Sequence, residues 1–210
     1  MPGQFDEARG RLAAARLYVI FPDDQPPPPA AVLCAAIDGG AGIVQLRNKS
    51  AAASELLDAA RMVAAHARAH AAVFVVNDLP ELVAASGADG VHVGQDGGSL
   101  IDVRSRLPRG ALVGRSTHSM TQATAAVSEG ADYIGVGPIH ATPTKPGRLP
   151  VGEGLLREVA PVIVVPWFAI GGIDLSNLSA ILAGGATRVA VVRAVARAAD
   201  PRKAAFTLLS

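Results

Sequence analysis

Residues 133–148 read Tyr-Ile-Gly-Val-Gly-Pro-Ile-His-Ala-Thr-Pro-Thr-Lys-Pro-Gly-Arg, and this stretch indicates how the whole chain is built. An apolar run from Tyr133 to Val136 stops at Gly137-Pro138 and opens directly into a loop with hydroxyl, ammonium and guanidinium groups. Hydroxyls and the Lys145 ammonium can all donate hydrogen bonds to an anion. The pattern predicts a buried strand that delivers anion-binding groups at its carboxyl end.

The same unit of apolar run, polar loop and helical segment recurs along the chain. Ala/Leu-rich segments with helical spacing, such as Ser54–Ala69 and Thr121–Glu129, separate short apolar runs. These runs are Leu17–Phe21, Ile43–Leu46, Val73–Val76, Gly90–Val93, Leu112–Gly114, Tyr133–Val136, Trp167–Ile170 and Arg188–Val192. Because the runs are continuously apolar, both faces of each strand should be buried, as in a parallel sheet covered by helices. Eight such units in about 200 residues predict an α/β chain folded as a single (β/α)8 TIM barrel. A doubly wound open sheet is the alternative, because periodicity does not show closure.

Composition limits the class of protein. The 210 residues are 50% apolar and 18% charged, which predicts one large core and a single domain over 1–210. Residues 1–15 are predicted as an extension before the first strand, and Pro26–Pro29 as a stiff first loop. A net charge of +1 gives no reason to expect nucleic acid or membrane as partners. The single cysteine and the lack of a long apolar run predict a soluble, cytoplasmic protein, whereas the oligomeric state stays open.

The loops after the second and fifth runs predict a site for a polyanion. In the extended segment Gln45-Leu46-Arg47-Asn48-Lys49, alternate residues place Gln45, Arg47 and Lys49 on one side. Arginine suits bidentate phosphate contact, and lysine supplies a point charge. Ser116 is favoured as a ligand contact over its neighbour His118 as an acid or base. In a parallel barrel these loops share one face with the Lys145 loop.

Carboxylates after the third and fourth runs are candidate Mg²⁺ ligands. Mg²⁺ is usually held by one or two carboxylates together with substrate phosphates. Asp78 follows Asn77 and can serve as a metal ligand or as a helix cap, and Asp96 as a second ligand or a turn former. His92 is interpreted as a core histidine, whereas His66 and His70, four apart on a helix without the glutamate of a zincin motif, are interpreted as surface residues.

A second anion region is predicted near the last two strands. Gly171-Gly172 follows the seventh run and Val192-Arg193 follows the eighth, where (β/α)8 barrels commonly bind phosphate. Two separate anion regions predict two phosphorylated ligands.

These motifs together resemble thiamine-phosphate synthases over nearly the whole chain. The matching segments are Gln45-Leu46-Arg47-x-Lys49, Asn77-Asp78, Gly90-Val91-His92-x-Gly94-Gln95, Gly114-x-Ser116-Thr117-His118, Gly135-x-Gly137-Pro138, Thr142-Pro143-Thr144-Lys145 and Ile170-Gly171-Gly172-Ile173. The resemblance implies a (β/α)8 transferase that joins hydroxymethylpyrimidine diphosphate to hydroxyethylthiazole phosphate and releases diphosphate.

The resemblance also implies roles for individual residues. The pyrimidine diphosphate would be held by Gln45, Arg47, Lys49, Asn77, Ser116 and Lys145, of which Arg47, Lys49, Ser116 and Lys145 would act in catalysis. The thiazole phosphate would be held by Thr142, Pro143, Thr144, Gly172, Val192 and Arg193. Asp78 would bind Mg²⁺. The family usually has its second metal-binding aspartate where this chain has Gly97, so Asp96, one residue earlier, is the candidate second ligand.

Two other functions are compatible with parts of the pattern. A thiazole tautomerase of the same fold would use His118 as its acid/base group, but it has no evident use for Asn77-Asp78 or Thr142–Lys145. A non-catalytic paralogue that binds thiazole phosphate or thiamine phosphate is suggested by Gly97.

Overall fold

The structure, a computed structural model, describes residues 3–22, 29–48, 53–144 and 147–210. Its strands are β1 (Leu17–Ile20), β2 (Ile43–Leu46), β3 (Val73–Asn77), β4 (Gly90–Val93), β5 (Leu112–Thr117), β6 (Tyr133–Val136), β7 (Trp167–Ile170) and β8 (Val189–Val191). Its helices are α1 (Gln4–Ala14), α2 (Pro29–Asp38), α3 (Ala53–Ala69), α4 (Pro80–Ser86), α5 (Leu100–Ser105), α6 (Met120–Ser128), α7 (Gly154–Val159), α8 (Leu178–Ala183), α9 (Arg193–Ala196) and α10 (Pro201–Leu209). No helix in these ranges combines the length and the apolar character needed to cross a membrane.

Within these ranges the strands form a closed parallel barrel in the order β1 to β8. Closure comes from β1, which pairs with β2 on one side and with β8 on the other, as in Leu17 opposite Val189. The predicted (β/α)8 barrel is confirmed, and the doubly wound alternative is wrong because an open sheet would leave β1 or β8 with an unpaired edge.

The strands are continuously apolar because each is covered on both faces. Val19 and Val44 belong to the core between the sheet and the helices, whereas their neighbours Tyr18 and Ile43 point into the barrel. Successive side chains of a strand alternate between the two sides. The barrel interior is therefore a second packed core.

Helix α1 covers the amino-terminal end of the barrel. Its Ala8 and Leu12 pack into the interior core. Arg11 of α1 donates to Asp89 at 2.8 Å, and Asp89 also accepts the Phe74 backbone N–H at 3.0 Å. The segment predicted as an extension thus contains a helix anchored to the barrel. The single domain over 1–210 stays a prediction.

Most predicted strand bounds agree with the structure, but β5 is longer than the predicted Leu112–Gly114. Its last residues stay in the sheet, with Ser116 opposite Gly135 and Thr117 opposite Val136. The Thr117 hydroxyl donates to the Gly135 carbonyl at 3.0 Å, which satisfies a polar side chain that is fully buried. Of the predicted first loop Pro26–Pro29, Pro29 begins α2 and the rest lies outside the described residues.

Candidate active site

A cavity of about 450 Å³ opens at the carboxyl end of the barrel. All eight strands contribute to its wall, through Ile20, Gln45, Asn77, His92, Ser116, Gly135, Ile170 and Ala190 or through the residues that follow them. This volume lies in the usual range for small-molecule sites. The barrel brings together groups that are far apart in sequence.

Every described residue of the predicted substrate-binding set lies on the wall of this cavity. The set comprises Gln45, Arg47, Asn77, Ser116, Thr142, Pro143, Thr144, Gly172, Val192 and Arg193. Lys49 and Lys145 lie outside the described residues. The structure therefore groups the predicted contacts in one place, whereas their roles remain predictions.

A chain of hydrogen bonds connects Gln45 to Ser116 through the barrel interior. Gln45 Nε2 donates to the Tyr18 hydroxyl at 2.6 Å, and this hydroxyl lies 3.3 Å from that of Tyr133. The Tyr133 hydroxyl lies 3.2 Å from His92 Nδ1, and His92 Nε2 lies 2.9 Å from Ser116 Oγ. Each group thus holds its neighbour, and the two tyrosines in the middle of the chain are buried.

One direction of this chain fits the donor at its first member. With Gln45 donating to Tyr18, the contacts fit an order in which the Tyr18 hydroxyl donates to Tyr133 and the Tyr133 hydroxyl donates to His92 Nδ1. His92 Nε2–H then donates to Ser116 Oγ. The Ser116 hydrogen is consequently left to donate to an acceptor in the cavity.

Burial keeps both tyrosines of this chain neutral. Desolvation is the main cause that raises the pKa of Tyr18 and of Tyr133 well above 10. His92 is both the core histidine that the sequence predicted and a residue of the cavity wall. Its position two residues after Gly90, on the inward face of β4, is the signal that could have placed it there.

His118 also lies on the wall, and its ring is fixed by the backbone. His118 Nδ1 donates to the Gly137 carbonyl oxygen, and its backbone N–H donates to Gln122 Oε1 at 2.8 Å. Arg148, whose guanidinium belongs to the predicted anion-binding loop after β6, also lies on the wall, as does Asp174, for which the sequence predicts no role. A hydrogen bond from the Ser176 hydroxyl, at 2.5 Å, lowers the pKa of Asp174.

The glycines of the predicted phosphate region are required for packing. A Cβ atom on Gly171 would lie 2.4 Å from Pro138 Cα, and one on Gly172 would lie 2.8 Å from His140 Cβ. Both glycines have positive φ, +106° and +64°. Side chains at either position would push the loop after β6 away from β7, so the pair keeps the two loops in contact.

The carboxylates predicted to bind metal lie beside the cavity rather than on its wall. Asp78, with φ of 56°, accepts hydrogen bonds from Asn77 Nδ2 at 2.7 Å and from the Gly94 N–H at 3.3 Å. It therefore connects the ends of β3 and β4 instead of capping α4, whose N-cap is Leu79. Asp96 is exposed in the loop after β4. The oriented carboxylate of Asp78 is a ligand type that suits a hard cation such as Mg²⁺.

Arg115 holds the loop that carries Asp96. Its buried guanidinium donates from Nη1 to the Gly94 carbonyl and from Nη2 to the Gly98 carbonyl, both at 2.8 Å. A Cβ atom on Gly97 would lie 2.9 Å from Val93 Cβ. An aspartate at position 97 would require this loop to shift, so Asp96 is the carboxylate that the present loop geometry offers.

The chain is similar in sequence to known proteins. Residues 17–195 match the family described as "Thiamine monophosphate synthase". The chain is 47% identical over 195 residues to the thiamine-phosphate synthase of Gloeobacter violaceus, which covers 93% of this chain and 57% of the relative. It is 46% identical over 171 residues to the Thermus thermophilus enzyme of the same name, covering 81% and 82% respectively.

A solved structure is similar as well. Thiamine phosphate pyrophosphorylase from Pyrococcus furiosus has a TM-score of 0.85 and 31% identity, over 96% of this chain and 95% of that one. The chain spans about half the length of several curated relatives that it matches. By the extent of the family match and by these identities, the chain belongs to the thiamine monophosphate synthase family.

Proposed function

We propose that this protein joins hydroxymethylpyrimidine diphosphate to hydroxyethylthiazole phosphate, forming thiamine phosphate and diphosphate. The observation that carries the proposal is that one cavity collects every described residue of the predicted substrate-binding set. Family membership supports the same reaction, since the relatives named above are thiamine-phosphate synthases. We propose small phosphorylated molecules as its partners, rather than nucleic acid or membrane, and the cytoplasm as its location.

The two sides of the cavity suit the two substrates. Gln45, Arg47, Asn77 and Ser116 lie at the ends of β2, β3 and β5, and they would hold the pyrimidine diphosphate. Thr142, Pro143, Thr144, Gly172, Val192 and Arg193 follow β6, β7 and β8, and they would receive the thiazole phosphate. One cavity joins both sets, so the two reacting atoms can be held next to each other.

The chemistry requires stabilisation of charge rather than a protein nucleophile. The bond between the pyrimidine methylene carbon and the diphosphate oxygen breaks, and the thiazole nitrogen forms a new bond to that carbon. Both electrons of the broken bond leave with the diphosphate. Arg47, together with Lys49 and Lys145, would stabilise this negative charge, and Ser116 would donate its hydrogen to an acceptor of the bound pyrimidine substrate.

Asp78 and Asp96 are the residues proposed to hold Mg²⁺. When bound there, the ion would neutralise part of the charge on the diphosphate. The carboxylate of Asp78 is already oriented by Asn77 and by the Gly94 N–H, so the protein supplies a positioned oxygen ligand.

The test is to incubate the purified protein with both substrates, with and without Mg²⁺, and to measure thiamine phosphate and diphosphate. Mg²⁺-dependent formation of both products in equal amounts is the expected result. Folded protein that binds thiazole phosphate but forms no product would overturn the proposal. An interconversion of thiazole tautomers that is lost in His118→Gln would then identify a tautomerase.

A further inference from the structure

A second cluster of ligand-type side chains lies outside the barrel, where α2 packs on α3. Asp38 is the last residue of α2, and His66 and His70 lie one turn apart in the last part of α3. Asp38 Oδ1 is 2.7 Å from His66 Nε2 and 3.6 Å from His70 Nε2. All three ligand atoms lie within 4.8 Å of one another. The cluster is at the carboxyl ends of both helices, on the side of the barrel opposite the cavity.

These distances suit a tetrahedral metal site. Bonds of about 2.0–2.1 Å from a zinc ion to nitrogen and oxygen place neighbouring ligand atoms about 3.3 Å apart. The 3.6 Å separation from His70 Nε2 lies close to that value, whereas the 2.7 Å contact with His66 Nε2 is a hydrogen bond that a bound ion would replace. Two histidines at positions i and i+4 of one helix are a known zinc-ligating arrangement.

The hydrogen bonding of His70 gives an independent argument. His70 Nδ1 lies 2.9 Å from the His66 carbonyl oxygen, which can only accept, so Nδ1 carries a proton. Nε2 is then the ring nitrogen that faces the Asp38 carboxylate, 3.6 Å away, and it is the one placed to bind a metal ion. Metal-binding histidines commonly donate their second nitrogen to a backbone carbonyl in this way.

Stacking on the His70 ring fixes the orientation of the His66 ring. The His66 and His70 rings stack with their centroids 4.2 Å apart and their planes 25° apart. The side chains of His66, His70 and Asp38 are 27%, 46% and 36% exposed, so solvent can reach the cluster. Water can therefore complete the coordination of an ion held by the three residues.

We propose that Asp38, His66 and His70 form a binding site for a divalent transition-metal ion of the zinc class. Two imidazoles and one carboxylate favour such an ion over Mg²⁺ or Ca²⁺, which prefer ligand sets made of oxygen. The bound ion ties the end of α2 to the end of α3 and stabilises the folded chain. None of the three residues lies on the cavity wall, so the site is independent of the proposed reaction.

The test is calorimetric titration of the chelator-treated, full-length protein with Zn²⁺ in the presence of excess Mg²⁺. The wild type is expected to bind Zn²⁺ at this site, and His70→Gln to bind it at least about tenfold more weakly. Asp58→Asn is the matched control, because Asp58 is an exposed acidic residue of the same helix outside the cluster. Asp78 and Asp96 are present in all three proteins, so any zinc bound there cancels in the comparison.

Thermal unfolding provides a second measurement. Zn²⁺ is expected to raise the melting temperature of the wild type and of Asp58→Asn, but not that of His70→Gln. Identical zinc isotherms for wild type and His70→Gln would overturn the proposal. So would a wild type that binds no Zn²⁺ at neutral pH.

Discussion

Arg47 follows the end of β2, on the side of the cavity where we propose that the diphosphate binds. Replacement by alanine should lower kcat/KM for thiamine phosphate formation by about 10²–10³-fold, as the loss of one preorganised donor does elsewhere. Arg47→Lys should keep part of the activity, because the charge remains but the bidentate geometry is lost.

The control for this substitution is Arg157→Ala on α7, where the arginine side chain is 68% exposed. Steady-state kinetics should show wild-type values for that variant, and circular dichroism should show that both variants are folded. A near-normal rate in Arg47→Ala would place the diphosphate elsewhere in the cavity.

We expect His92 to position the Ser116 hydroxyl for its contact with the substrate. His92→Phe removes the donor to Ser116 Oγ, and we expect kcat to fall by about 10–100-fold because the hydroxyl is no longer held in place. Adding Ser116→Ala to His92→Phe should cost little more, since the two residues act as one unit. His92→Gln, which keeps a donor, should restore part of the rate; losses that simply add in the double variant would contradict this role.

The sequence predicts the position of a site residue well when that position depends only on the neighbouring residues in the chain. Arg47 and Asn77 follow apolar runs directly, so the parallel-strand pattern was enough to place them at one rim. The path from Gln45 to Ser116 was not predictable, because it depends on which side chains of five different strands meet inside the barrel. The separation of Gly97 from Val93 is likewise a property of the folded loop.

Among the structural elements, the loop after β4 is held at two of its carbonyl groups by a buried side chain of β5, Arg115. Arg115→Met removes the two hydrogen bonds to Gly94 and Gly98 and frees the loop that carries Asp96. The Mg²⁺ concentration at half-maximal activity should rise several-fold, as measured by titration of the reaction with Mg²⁺. Arg106→Ala, which removes an exposed ion pair with Glu81, should leave this titration unchanged. A lower melting temperature with an unaltered Mg²⁺ titration would show that Arg115 only stabilises the fold.

Helix α1 is the second element whose attachment can be tested. Arg11→Ala leaves the buried Asp89 carboxylate without its cation, and we expect a loss of about 3–5 kcal/mol in the free energy of unfolding. Arg9→Ala should cost about 1 kcal/mol or less, because Arg9 is 41% exposed and its partner Asp132 keeps Arg104. Urea unfolding followed by fluorescence measures both. Equal losses in the free energy of unfolding would show that the buried Arg11–Asp89 ion pair contributes no more to stability than the exposed Arg9–Asp132 pair.

For the whole molecule, the two tyrosines give a prediction about alkaline stability. They are the only tyrosines in the chain, and burial raises the pKa of both above the ordinary value of 10.0. Above pH 10 the unfolded chain therefore loses protons that the folded chain keeps. Stability is unaffected by these groups below pH 10 and falls above it by about 1.4 kcal/mol per pH unit for each tyrosine.

Tyrosinate absorbance and urea unfolding between pH 9 and 12 check this prediction. The absorbance should appear only together with loss of the fold, and Tyr133→Phe should reduce the slope of stability against pH by about half. Titration of either tyrosine in the folded protein near pH 10 would contradict the interior position of the pair.

The pairing of β1 with β8 also has a consequence for synthesis of the chain on the ribosome. Val189 is synthesised 172 residues after its partner Leu17. Until then a nascent chain exposes unpaired backbone groups on both β1 and the most recently formed strand, and such open edges promote association with other chains. Contacts between residues so far apart in sequence also form slowly. A chain interrupted before Val189 should therefore depend on chaperones, although most of its barrel residues are already present.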